Sequence, residues 1–417
     1  MKKLIIYIYI ICIGLTSNLF GQENFPINGV KETNQVFHAF TNAEIYINHT
    51  EKIKGATLLI KNDKIIEVGK KVKIPDGTVI HDVQGLKICP SFIDIFTEYG
   101  QDLTKKNKET LGSWNPSLRI EYDAVNNFFI DKEKARLLIN SGFGLVNSLK
   151  KDGIIRGTST IAFLSYEKPH ESILIDKSSL CMSFNKGTSK KSYPNSLMGS
   201  IALLRQAYYD LDWYQNQKTH YNNSLEAFRK NKNLPKILEV KDYQSIFRAQ
   251  KISKEFDENF IIKTSGNEYQ RVDELKAINP RLIVPLNFPK IKMPNDPYEN
   301  LELSLKKLKH WETAPFNCSI LVKNGLSIAI TTDGLKDLSE FNKNLNKAIS
   351  CGLSKKDALR ALTSNPAKFL NIYNKIGSIS KGKKANFLIF SGNLFEEDFL
   401  IYQNWISGKK HEINNIN

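Results

Sequence analysis

Residues Cys89 to Gly100 read CPSFIDIFTEYG, and the reading of the fold turns on them. Pro90 opens an apolar run, Phe92 to Phe96, that gives way to Thr97-Glu98 and stops at Gly100. A short continuous run of this kind, bounded by turn residues, fits a strand buried on both faces. The chain has a different period on each side of it. Upstream, ATLLIKNDKIIEVGK (56–70) reads as strand, turn at Asn62-Asp63, strand, and GTVIHDVQGLKICPS (77–91) adds short strands around Gly85. Downstream, the apolar runs FGLVNSL (143–149), TIAFLS (160–165), LPKILEV (234–240), FIIKTSG (260–266), RLIVPLNF (281–288) and LSIAITTDG (326–334) alternate with helix-period segments. DKEKARLLINSG (131–142) and SIFRAQKISKEF (245–256) are two of those segments. Such alternation predicts parallel βα units, and roughly 280 residues of them suit a barrel better than an open sheet.

The C-terminal part carries its own punctuation. EFNKNLNKAISCG (340–352) ends at Gly352, and Ser354 is placed to cap the next helix, with Asp357 three residues on. IGSISKGKKANFLIFSG (376–392) and IYQNWISGKK (401–410) then return to period 2. A β unit that opens the chain and resumes after the barrel predicts one composite domain assembled from both termini.

Composition narrows the function. The 417 residues are 41% hydrophobic and 24% charged, ordinary for a globular protein with a sizeable core. The net charge is +16, yet the lysines are scattered, with no block of like charge and no basic stripe interleaved with aromatics. A lysine-rich surface is the reading, and nucleic acid is excluded as a partner. Residues 1–21 begin with Lys2-Lys3, run apolar from Leu4 to about Leu15 and end in small and polar residues, as a secretory signal peptide does. The apolar run is short for a membrane span of ~20 residues. The expectation is an exported protein, periplasmic or extracellular, with no stable membrane insertion after cleavage. Four cysteines then remain, Cys89, Cys181, Cys318 and Cys351, at wide irregular spacings that suggest buried thiols more than a disulfide framework.

The order of three segments resembles the amidohydrolase superfamily, in its imidazolonepropionase-like branch. They are LLIKNDKIIEVGKKVKIPDGTVIHDVQGLKICPSFID (58–94), LVKNGLSIAITTDG (321–334) and CGLSKKDALRALTSNPAKFLNIYNKIGSISKGKKANFLIFSG (351–392). The resemblance implies a distorted TIM (β/α)8 barrel over 90–371 and a small composite β-sandwich from 36–89 and 372–412. It also implies hydrolysis of C–N bonds with one or two divalent metals at the barrel mouth. Histidines on the first, fifth and sixth strands would bind metal, and an aspartate after the eighth would handle protons of a metal-bound water.

The ligand positions depart from that pattern. The first-strand histidine positions hold Phe96 and Glu98, the fifth holds Glu239, and the sixth-strand region offers Thr264, Ser265 and Gly266. Asp333 alone matches. None of the seven histidines, His38, His49, His81, His170, His220, His310 and His411, falls at a strand end expected to bear a ligand. A phenyl ring at 96 cannot donate to a metal.

Three roles stay open for Glu98, Glu239 and Asp333. They could be solvated or salt-bridged carboxylates in a cleft lined by lysines such as Lys241 and Lys263. They could hold a hard cation such as calcium or magnesium, or form an acid/base pair. Arg156 in IIRGTSTIAF, the aromatics of 196–215 and His310-Trp311 are weaker candidates with ready structural explanations. The expected function is an exported amidohydrolase-like module without ordinary metal chemistry, a pseudoenzyme that binds or scaffolds an active amidohydrolase module. The alternatives are a C–N hydrolase using Asp333 with a nonstandard carboxylate site, and a pocket for a small molecule or peptide.

Overall fold

The structure is a computed structural model that describes residues 36–102, 113–216, 220–290 and 304–413. The signal-like residues 1–21 lie outside these. Five strands open the described chain: β1 (Phe37–Tyr46), β2 (Lys52–Lys61), β3 (Lys64–Gly69), β4 (Val79–Asp82) and β5 (Lys87–Pro90). β2 and β3 form the hairpin expected from Asn62-Asp63, with Asn62 at a positive φ of 53°. Asparagine tolerates that conformation better than most residues.

The middle of the chain supplies β6 (Phe92–Thr97), β7 (Phe143–Ser148), β8 (Ile155–Thr158), β9 (Thr160–Phe163), β10 (Ile173–Ile175), β11 (Leu180–Ser183), β12 (Lys236–Glu239), β13 (Phe260–Lys263), β14 (Arg281–Pro285) and β15 (Ile328–Thr331). β16 (Phe387–Ser391), β17 (Leu400–Ile406) and β18 (Lys409–Glu412) close it. β16 pairs antiparallel with β5, so the two ends of the chain join in one eight-stranded sheet, ordered β18-β17-β16-β5-β1-β2-β3 with β4 on β1. This sheet has its own core, in which Phe40, Ile45, Leu58 and Ile60 from one end meet Phe387, Ile389 and Trp405 from the other. At the far edge β3 also touches the segment before β16, where the Ile65 amide donates to the Lys383 carbonyl at 2.9 Å.

The barrel departs from the expected closed ring of eight parallel strands. Its strands form two sheets, β10-β9-β7-β6 and β15-β14-β13-β12-β11-β8. β11 to β15 are mutually parallel, and β6 is parallel to β7. β9, however, runs antiparallel to β7, and β8 antiparallel to β11. The cause is the short connection 149–154. A parallel return needs a crossover of about a dozen residues or more, so so few residues can only turn the chain back. Ser159 separates β8 from β9, and its amide donates to the Ser179 carbonyl at 2.9 Å across the break.

At the other seam, between β6 and β15, side chains bridge the sheets. The Thr331 hydroxyl lies 2.6 Å from Asp94 Oδ1 and 2.7 Å from the Phe96 carbonyl, within donating distance of both. Asp94 is fully buried, and its second oxygen accepts from the amide and hydroxyl of Thr332. Burial pushes its carboxyl up to about 6, with the Thr331 and Thr332 bonds opposing.

Helices cover the barrel strands. The helix Lys355–Leu362 is capped as the sequence suggests, the Ser354 hydroxyl accepting from the Asp357 amide at 3.0 Å, and Gly352 before it sits at φ 97°. No described helix is long and apolar enough to cross a membrane. The four cysteines are unpaired, three of them buried.

Candidate functional site

Six charged side chains meet at one end of the barrel strands. Glu98 follows β6, Lys151 lies in the connection after β7, and Arg156 is on β8. Glu239 ends β12, Lys263 ends β13 and Asp333 follows β15. Strand ends recur here because a parallel sheet presents its last residues together at one rim. Glu239 and Lys263 are register partners on neighbouring strands.

The six form a chain of alternating sign. Lys151 Nζ lies 3.8 Å from Glu98 Oε2 and 2.5 Å from Asp333 Oδ1. Lys263 Nζ lies 2.5 Å from Asp333 Oδ2 and 3.8 Å from Glu239 Oε1. Arg156 Nη2 donates to Glu239 Oε2 at 2.7 Å. The Lys151 amide adds a bond to Glu98 Oε1 at 2.9 Å. Three carboxylates thus face three cations, and the group is formally neutral.

Burial makes this group consequential. The side chains of Asp333 and Lys263 are each 8% exposed, and that of Arg156 is 2% exposed. Charges so placed persist only when paired. Burial pushes the Asp333 carboxyl up, but the Lys263 and Lys151 ammoniums together outweigh it and leave it below the ordinary aspartate range. Burial pulls the Lys151 ammonium down, and Asp333, then Glu239 and Glu98, more than offset that and hold it above the ordinary lysine range. An aspartate so held is a weak base. Its proton affinity is low and both oxygens are engaged.

Phe96 is fully buried beneath this group, with Lys263 Nζ 5.6 Å from its ring centroid. An ammonium over a ring face is attracted by the ring quadrupole. Phe96 therefore seats one of the lysines.

The expected site residues fare differently. Glu98, Glu239 and Asp333 are brought together, through the lysines and arginine between them. Thr264 is not among them. It is fully buried, and its hydroxyl donates to the Ile283 carbonyl at 3.0 Å, so the rim position expected for it belongs to Lys263. The loop after β13 is instead organised by Glu268, also fully buried. Its Oε1 accepts from the amides of Ser265, Gly266 and Asn267 at 3.2, 2.9 and 3.1 Å, and its Oε2 from Asn317 Nδ2 at 2.6 Å. Lys241 is exposed and outside the network. Lys151 escaped the sequence reading, although its place after the second apolar run is a strand-end loop of the kind that carries barrel function. Arg156 serves as a counter-ion to Glu239. His310, on the helix Leu305–Thr313, bonds Tyr269 Oη through Nδ1 at 3.0 Å and is outside the network.

The divalent metal implied by the resemblance does not fit these donors. Phe96 offers none. Each of the three carboxylates already faces a lysine or arginine, and the two ammoniums stand between them, where a cation would need their oxygens. Among the described residues, no group of three or more His, Cys, Asp or Glu side chains converges as a metal site would.

Comparison with known proteins agrees with the architecture. Residues 313–411 match the amidohydrolase family model. No curated protein matches the chain. An amidohydrolase from Thermotoga maritima MSB8 is similar in structure, with a TM-score of 0.71 and 22% identity over 89% of this chain and 99% of that one. A prolidase complexed with N-methylphosphonate-L-proline gives 0.53 and 15% over 90% of this chain and 100% of the other. A β-aspartyl dipeptidase from Fervidobacterium islandicum AW-1 gives 0.52 and 15%, over 91% and 98%. At these identities the likeness establishes the fold: a mixed α/β architecture shared with solved amidohydrolases.

Proposed function

We propose that the chain is an exported member of the amidohydrolase superfamily, near its imidazolonepropionase-like branch. In it a neutral ion-pair network has replaced the metal centre, and it acts by binding, as a partner of an active amidohydrolase module. The barrel and composite sheet then correspond to the superfamily's distorted TIM barrel and small β-sandwich. The observation that carries this reading is the double engagement of Asp333 by Lys151 and Lys263, each at 2.5 Å. The one catalytic residue that matches the superfamily pattern is neither a free metal ligand nor a poised base. Export rests on residues 1–21, and the partner role on an intact scaffold without a fitting metal site. The hydrolase, prolidase and dipeptidase names of the structural neighbours support the family reading alone.

Metal content and turnover test it together. The purified chain, equilibrated with zinc, manganese or calcium, should hold far less than one ion per chain. It should show no metal-dependent hydrolysis of dipeptide, N-acyl or cyclic amide substrates. One tightly held ion per chain, together with turnover that Asp333→Asn abolishes, would sink the reading. The partner role predicts co-elution with an amidohydrolase of the same organism that keeps its histidines, and separate elution argues against that role.

A further inference from the structure

Beside the ion-pair network lies a cavity of about 440 Å³ whose lining mixes polar and apolar side chains. Its wall runs from the end of β11 through the loop 194–196 to the end of β12. Glu239 links it to the network. The helix Leu197–Gln215 begins in this wall. Its cap is Ser196, whose hydroxyl accepts from the Gly199 amide at 3.1 Å. The amides of Leu197 and Met198 have no acceptor among the described residues. A helix of this length presents about half a positive charge at such an end.

Three side chains add to that end. Ser200, one turn in, is 4% exposed and lines the cavity, yet its hydroxyl has no hydrogen-bond partner among the described residues. Helical serines commonly turn back to the preceding carbonyl, so a hydroxyl without that bond, on a side chain that lines the cavity, is free to meet a ligand there. Lys241 lines the cavity with no described carboxylate partner. Lys186 lines it too, donating only to the Lys191 carbonyl at 3.0 Å. The acidic side chains of the wall already have cationic partners, Arg156 for Glu239 and Arg248, at 3.6 Å, for Asp242. Asp242 also caps the helix Tyr243–Glu255 through the Ser245 amide at 2.7 Å. The uncompensated charge of the cavity is positive.

We propose that this cavity binds the carboxylate or phosphate group of a small molecule. The anion sits at the first turn of the helix Leu197–Gln215, between Lys241, Lys186 and the Ser200 hydroxyl. Glu239 Oε1, which has no hydrogen bond at 3.8 Å from Lys263, accepts from an amine or hydroxyl at the ligand's other end. The site deepens the binding role proposed above and rests on it for its purpose, while its existence does not depend on the absence of a metal.

The test titrates the full-length mature chain with inorganic phosphate and, separately, with malonate, at constant ionic strength and against chloride. Calorimetry or thermal unfolding reads the binding. One saturable site is expected. Lys241→Glu should weaken it about tenfold or more, and Ser200→Ala by a few-fold. Lys410→Met, on β18 in an exposed pair with Glu412 and outside both the network and the cavity wall, should leave the affinity unchanged. Phosphate alone or malonate alone fixes which anion the site takes. No saturable binding, or equal affinity in wild type and a folded Lys241→Glu, overturns the proposal. A tightly bound metal with turnover would remove the proposed function and leave this anion site standing.

Discussion

Replacing Lys263 by methionine isolates the most buried link of the network. The substitution keeps the length of the side chain and an apolar contact for the Phe96 ring, and it removes one of the two ammoniums on Asp333. Breaking a buried ion pair by deleting one partner costs about 3–5 kcal/mol, since the other charge stays behind. Lys151 still covers Asp333 Oδ1, so the lower end, about 3 kcal/mol, is expected. That is a large part of a total stability of about 5–15 kcal/mol. The assay is urea unfolding followed by tryptophan fluorescence at neutral pH, in low and high salt. Lys410→Met is the control, because its pair with Glu412 is 43% and 67% exposed and solvent screening leaves it little to contribute. The buried pair should also be little affected by salt. A cycle with Asp333→Asn should give a coupling of about 1–3 kcal/mol. A loss below about 1 kcal/mol for Lys263→Met, or a coupling within about 0.5 kcal/mol of zero, would refute the idea that this pair organises the barrel mouth.

Acid should reveal two opposite slopes. The lowered Asp333 carboxyl contributes stability that is present above its unfolded value of about 3.9 and lost as pH falls through its lower folded value. The raised Asp94 carboxyl acts in reverse. Its contribution improves as pH falls from above about 6 towards about 4, so Asp94→Asn should flatten that window in a pH series of unfolding free energies. Glu268→Ala strands three loop amides and the Asn317 side chain. It should cost about 3 kcal/mol or more and speed hydrogen exchange at 265–267, whereas Glu268→Gln should cost less. Gly157→Ala would set a Cβ 1.9 Å from the Tyr122 carbonyl at φ 77°. A drop of roughly 3 kcal/mol or more should appear in thermal unfolding.

Local patterns made much of the fold legible. The alternation at Leu58 and Ile60, the turn at Asn62 and the period-2 runs at both ends mark the composite sheet, because strand period and turn chemistry are read over a few residues. The reversed course of β8 and β9 is less visible. An apolar run carries no direction, and only the brevity of 149–154 signals the turn-back. At the site, Phe96 and Asp333 could be placed because their neighbours fix the strand. Thr264 was one residue off. Successive strand residues face opposite sides, so a single step exchanges a rim side chain for one bonded within the sheet. Lys151 sits in a loop with no period at all. That lysines would fill the spaces between the carboxylates is a property of three dimensions, which strand patterns do not encode.

The alternating charges have a consequence for descent. For this rim to hold a divalent metal, a lineage would have to gain several metal-ligating side chains, lose Phe96 and discard two lysines. Most single steps along that route leave a carboxylate or an ammonium uncompensated beside Asp333 and Lys263, each 8% exposed. Each such intermediate is weakened by several kcal/mol, enough to push a marginally stable chain below the threshold selection tolerates. The six-residue network therefore works as a barrier in sequence space. With its counter-ions in place, substitution alters the surroundings more easily than the network itself.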